Sequence, residues 1–168
     1  MGNIHLVLGP QGAGKSTYSR QLARQEGAVR FSIDEWMQLL FGPDVPKTMS
    51  LSWIMDRVQR CEAQIWATAS QVSRTGGCVV LDLGFTKIET RKNYRRLAAD
   101  IESDVHLHVL DAPYAVRKER VMNRNIEKGE TFSFEVTPMM FDFMEKEFQR
   151  PTEEELSHAR IVEAASAQ

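Results

Sequence analysis

The stretch Gly9-Pro10-Gln11-Gly12-Ala13-Gly14-Lys15-Ser16 matches the spacing G-x-x-x-x-G-K-[ST] at every fixed position, directly after the apolar run Ile4–Leu8. Few local patterns constrain a fold as tightly, because this one demands a strand, a glycine-rich turn and a helix that opens inside the turn. Glycines let successive backbone N–H groups converge on an anion, and the helix N-terminus adds partial positive charge. Lys15 can then reach the β- and γ-phosphates, and the Ser16 hydroxyl can ligate magnesium. The expected ligand is ATP with Mg2+, held by Gly9, Gln11, Gly12, Ala13, Gly14, Lys15, Ser16 and Thr17.

Around this loop, strand-like and helix-like segments alternate. Helices are expected from Lys15 to about residue 23, from Asp34 to about Phe41 and from Leu51 to about Arg74. Three more follow, from Glu89 to about Ile101, from Ala112 to about Asn123 and from Thr137-Pro138 to about Phe148. Apolar runs at Ala28–Ser32, Cys78–Leu83, Val105–Leu110 and Arg160–Val162 supply the remaining strands. In the long third helix Leu51, Ile54, Met55, Val58, Ile65 and Val72 recur on one face, and Met139, Met140 and Met144 read as core filler. This alternation predicts an α/β fold, the P-loop NTPase three-layer sandwich, with a mainly parallel five-stranded sheet and helices on both faces. Residues 1–163 are expected to form one domain with a lid at about 117–135, and 164–168 a frayed tail. Ligands in such folds sit beyond the carboxyl ends of the strands.

Two acids fall at that edge. Asp34 follows Ser32-Ile33, where a carboxylate can orient an acceptor hydroxyl and take its proton. It can equally cap the helix Glu35–Phe41. Asp82 closes the apolar strand Val79-Val80-Leu81 and is a candidate to organise magnesium, to bind an acceptor or to tie down a loop. After the fourth strand come Arg117, Arg120 and Arg124, spaced to share one helical face, then Glu127-Lys128-Gly129-Glu130-Thr131, which reads as a mobile lid loop. Lid arginines can stabilise a transferring phosphoryl group. A solvated face paired with Glu119 and Glu127 is the plainer reading.

With Ser32-Ile33-Asp34, Val-Val-Leu-Asp at 79–82, Asp111-Ala112-Pro113, Arg120, Arg124-Asn125 and Phe148-Gln149-Arg150-Pro151-Thr152, the chain resembles the small P-loop kinases. These are related to polynucleotide 5′-hydroxyl kinases, zeta toxins and chloramphenicol phosphotransferases. The resemblance covers roughly residues 3–156. It implies transfer of the γ-phosphoryl of ATP to a hydroxyl, with Lys15, Asp34, Arg120 and Arg124 catalytic. The two arginines are also implied to contact the nucleotide, and Lys128 to stand where relatives carry a further lid arginine. Acceptor specificity is expected from Glu35–Ser52 and Leu83–Arg96, which hold Trp36, Phe41, Trp53, Phe85, Lys87, Arg91, Tyr94 and Arg95. Core packing of the tryptophans and an exposed basic helix face are the alternative for these.

A formal charge of −2 gives no field for a polyanion, so a small-molecule acceptor is preferred over a nucleic-acid 5′ end. The alternative function is an ATP-binding or hydrolysing module without an acceptor. No Asn-Lys-x-Asp sequence favours guanine, and a chain of 168 residues leaves no room for the extra helical domain of a ring ATPase. No apolar run of about 18 residues suggests a membrane span, and Cys61 and Cys78 read as reduced thiols of a cytoplasmic protein. His5, His106 and His108 fall in expected strands and His158 near the tail; they do not cluster as metal ligands would and are expected to be structural.

Overall fold

A computed structural model describes residues 1–48, 50–128 and 135–163. Five strands, β1 (Ile4–Leu8), β2 (Val29–Ser32), β3 (Val79–Asp82), β4 (Val105–Asp111) and β5 (Ala159–Glu163), form one sheet in the order β2-β3-β1-β4-β5. Every pairing is parallel, with Ile4 opposite both Val79 and Val105. The sheet is the α/β P-loop NTPase arrangement, and the alternation along β1 and β3 explains its layers. Leu6, Leu8, Val79 and Leu81 face a core completed by Cys61, Ile65, Ala69, Tyr94 and Ala98. Those five residues belong to α3 (Leu51–Arg74) and α4 (Ile88–Ala99). Val7 and Val80 face the opposite way, onto Ala13 and Leu22, the latter in α1 (Lys15–Glu26). Both faces are covered, so β1 is buried along its whole length and reads as a continuous apolar run.

Local chemistry sets the helix ends. α1 runs past residue 23 because Gly27, at φ 59°, supplies the left-handed residue that closes it at Glu26. Ser50 caps α3, accepting from the Trp53 N–H. Thr137 with Pro138 opens α6 (Pro138–Glu147), following α5 (Tyr114–Glu127). A seventh helix, α7 (Glu153–Ser157), was not expected. Its signal was nonetheless in the chain, because Thr152 and Glu155 form a reciprocal capping box. Two hydrophobic assignments are corrected. The first turn of α3 leaves Leu51 and Met55 exposed, and its core contact begins at Val58. In α6, Met139 and Met140 face solvent and Phe141 is the buried anchor.

Three of the histidines meet in the fold. His5 and His106 are register partners on β1 and β4, with rings stacked 5.1 Å apart. His5 Nδ1 lies 3.0 Å from His108 Nε2, and His108 Nδ1 lies 2.8 Å from the Tyr18 hydroxyl. With His158, Glu26 and Arg160 they line a cleft of about 530 Å³. Among the described residues, no three or more His, Cys, Asp or Glu side chains are arranged to hold a metal ion. Burial first, then the charges of His5, Arg160 and His106, lower the His108 pKa from 6.5 to about 4. The native state therefore keeps His108 neutral while the unfolded chain takes up a proton. Stability is lost as pH falls from 6.5 towards 4, on the order of 3 kcal/mol across that window. Thermal melts at stepped pH should show this slope in the wild type and a shallower one in His108→Gln. Coincident slopes would refute the assignment.

The chain leaves the carboxyl end of β1 for α1 and β2, returns through β3, and crosses to β4 on the other side. The carboxyl ends of β1, β2 and β3 thus open one crevice at the point where the connections diverge.

Candidate active site

The loop after β1 is built for close approach. A Cβ on Gly9 would lie 2.4 Å from the Leu110 carbonyl oxygen, and one on Gly12 would lie 2.5 Å from that of Arg117. Gly12 (φ 78°) and Gly14 (φ 94°) hold left-handed conformations, and Gly14 is the N-cap of α1. No side chain caps that helix start, and no acid occupies its first turn. The N–H groups beside Lys15, Ser16 and Thr17 are thus set for an external anion. Lys15 Nζ donates to the carbonyls of Gly9 (2.8 Å) and Pro10 (3.0 Å), which folds its ammonium back over the loop that carries Gln11 and Ala13. Burial lowers its pKa, Asp82 and Asp34 counteract this, and Arg124 and Arg117 add to the lowering.

Asp34 lies in the first turn of α2 (Ile33–Phe41), and the helix cap is Ser32, whose Oγ accepts from the Glu35 N–H. The capping alternative for Asp34 is therefore corrected: α2 begins at Ile33, two residues before the Glu35 start that reading required, so Asp34 lies inside its first turn. Asp34 is exposed. Desolvation first, then Asp82, push its carboxyl above the ordinary range, against Lys15, Arg124 and Arg30.

Asp82 is buried at the end of β3. Its Oδ2 accepts from Ser19 Oγ (2.9 Å) and from Arg30 Nη2 (2.7 Å). Ser19 follows Ser16 by one helical turn on α1 and also contacts the Ser16 carbonyl. Arg30 was not expected at the site. It lies in a strand that reads as apolar, and its partner Asp82 is 52 residues away, so nothing local in the chain marks it.

The three arginines of the expected lid divide. Arg117 is 1% exposed. It binds the Ala112 and Gln11 carbonyls and both carboxylate oxygens of Glu145 on α6 (2.7 and 2.8 Å). It is a strut between the glycine loop and α6, unlike a solvated face. Arg124 is half-buried, and its Nε is buried without a hydrogen-bond partner among the described residues. Desolvation lowers its pKa, opposed by Asp34. Arg120, one turn earlier on α5, is half-buried too. Lys128 ends α5 in a left-handed conformation (φ 47°). Positions 129–134 of the expected lid, and the tail 164–168, lie outside the described residues.

Several acceptor-lining candidates are claimed by the core. Arg91 is fully buried, paired with Glu155 (2.7 Å) and bonded to the Phe85 carbonyl. Phe85 and Trp66 meet Tyr94 edge-on. Lys87 pairs with Glu147, while Arg95 stays half-buried. Trp36 packs against Phe31, and Trp53 carries the Arg57 guanidinium 3.8 Å above its ring, 5.6 Å from the Phe41 ring. That aromatic–guanidinium group on α2 and α3 is what remains of the expected lining.

A family described as an AAA domain matches residues 4–151. Shikimate kinase of Wigglesworthia glossinidia brevipalpis is 32% identical over 99 residues, which cover 58% of this chain and 53% of that protein. The chain spans about half the length of the curated relatives it matches. Among solved structures, Chaetomium thermophilum Kti12 in complex with ADP-AlF3 superposes with a TM-score of 0.71 at 14% identity, covering 98% of this chain and 91% of that one. A gluconokinase from Sinorhizobium meliloti gives 0.63 at 17% identity, covering 99% and 84%. At such identities the two structures show the shared fold.

Proposed function

The chain belongs to the AAA domain family, and from that premise we propose that it is a magnesium-dependent kinase moving the γ-phosphoryl of ATP to a hydroxyl of a small molecule. One observation carries the reading. Lys15, Asp34, Asp82 and Arg124 lie within electrostatic reach of one another around the glycine loop, each perturbing or opposing its neighbours' charge. That grouping supports a carboxylate placed to act on an acceptor beside the phosphate site.

The loop amides and Lys15 hold the triphosphate tail. Asp34 orients the acceptor hydroxyl and takes its proton as the oxygen bonds to the γ-phosphorus. The bond to the bridging oxygen breaks and ADP leaves. Arg124, whose Nε has no partner among the described residues, and Arg120 offset the charge that spreads over the transferring group. The Ser16 hydroxyl and the Asp82 carboxylate form an all-oxygen donor set, which suits a hard cation that also keeps phosphate and water ligands. Magnesium, when bound there, supplies charge neutralisation at the phosphates. The relatives' names make hydroxy acids natural first acceptors, and the overall charge of −2 disfavours a nucleic-acid end. Free Cys61 and Cys78 support a reducing, cytoplasmic setting.

The test is ADP release from magnesium–ATP in the presence of shikimate, gluconate, amino sugars, nucleosides or 5′-hydroxyl oligonucleotides, with the phosphorylated product identified by phosphorus NMR. The expected result is one small-molecule hydroxyl raising turnover about tenfold or more over basal hydrolysis. Inorganic phosphate as the product under every condition would leave an ATP hydrolase, and a response confined to oligonucleotides would reverse the acceptor class.

A further inference from the structure

Arg30 occupies the middle of β2, opposite Val80 of β3, on the sheet face that packs against α1. An apolar residue would be the ordinary occupant there. Instead its guanidinium, only 10% exposed, distributes all three nitrogens. Nε donates to Ser19 Oγ (2.7 Å), Nη1 to Glu35 Oε1 (2.8 Å) and Nη2 to Asp82 Oδ2 (2.7 Å). Those acceptors lie on α1, at the start of α2 and at the end of β3. The same three elements carry Ser16, Asp34 and Asp82. Arg20 of α1 closes the ring by donating to Glu35 (2.8 Å). Ser19 accepts from Arg30 and directs its own proton to Asp82 Oδ2 (2.9 Å) or to the Ser16 carbonyl (3.1 Å).

Stability is a poor reason to keep such a group. Ion pairs removed from water often contribute less than an apolar residue of the same volume. A planar, three-way donor does something an apolar residue cannot do, which is to fix the angle of a carboxylate relative to a helix start. We propose that Arg30 is a positioning residue that aims Asp82 and the first turn of α1 at the magnesium end of the phosphate site. It would thereby set how strongly magnesium tightens nucleotide binding. The inference rests on the kinase reading above for the identity of the ion and of the nucleotide.

Calorimetric titration with ATP, once in EDTA and once in excess magnesium, separates the two. Wild-type protein binds more tightly with magnesium. Arg30→Lys, which keeps the charge but reaches one acceptor at a time, should melt within a few degrees of wild type and bind metal-free ATP within about twofold. It should lose about tenfold or more of the magnesium-dependent gain, as supporting residues around metal ligands do. Arg30→Met, of similar volume, should lose the same gain if it folds. In an Asp82→Asn background the Arg30→Lys change should add nothing, because the two act as one unit. An undiminished magnesium gain in a folded Arg30 variant, with wild-type binding intact, overturns the role of Arg30. Wild-type protein without ATP affinity would instead overturn the kinase reading from which it starts.

Discussion

Lys15→Ala is expected to weaken magnesium–ATP binding by about 100-fold or more, with melting temperature little changed. The ammonium lies on its own loop, donating to Gly9 and Pro10, and burial depresses its pKa while Asp82 and Asp34 hold the charge in place. That loop is pre-folded by its glycines and by the Arg117 strut to Gln11, so removing the side chain leaves the cradle standing. What is lost is a pair of charge-assisted hydrogen bonds to phosphate oxygens. At about 1.5 kcal/mol or more each, they convert to about two decades of affinity. Lys15→Arg should not restore binding, because a planar guanidinium is too large for a site shaped around a compact ammonium. Titration of both variants with magnesium–ATP reads the effect directly. Affinity within about threefold of wild type in Lys15→Ala would remove the foundation of the functional reading.

Asp34→Asn should lower the turnover number by about 10²- to 10⁴-fold, the usual range for a lost general base, with ATP affinity held within a few-fold. The substitution is clean because Ser32, and not Asp34, caps α2, so the helix start survives and stability should stay within about 1 kcal/mol. The pH dependence carries a sign. Desolvation and Asp82 raise the Asp34 carboxyl, while Lys15, Arg124 and Arg30 pull it down with a smaller combined effect. A base works only when deprotonated. The acid limb of kcat/KM in the wild type should therefore fall above the ordinary carboxylate range of about 4, and the residual activity of Asp34→Asn should lack that limb. Wild-type turnover in the Asp34→Asn protein would reassign Asp34 to structure. Raised KM at unchanged kcat would make it a binding group alone.

Much of this was written in short stretches of chain. The eight residues from Gly9 to Ser16 specify strand, turn and helix together, and β1 is found where its apolar run predicts. α3 begins and ends at the expected residues, since Ser50 and the Gly76-Gly77 pair mark both ends locally. The capping box at Thr152–Glu155 was equally legible, but a helix of five residues leaves no period to notice. Periodicity misled in two places. Leu51 and Met55 have the right spacing, yet they precede the part of α3 that reaches the sheet, and in α6 only Phe141 finds the core.

What the sequence determined by itself was therefore the order of elements, the glycine loop and the edge of the sheet at which Asp34 and Asp82 emerge. These depend on backbone torsions and on side-chain period, which neighbouring residues dictate. The partnerships were decided by the tertiary structure. Arg30 meets Asp82 across 52 residues, Arg91 meets Glu155 across 64, and His5 meets His108 across 103. A basic residue in a list of bases has no intrinsic role. Arg91 and Arg117 became struts because buried charge must find opposite charge and the fold alone sets which one is within reach.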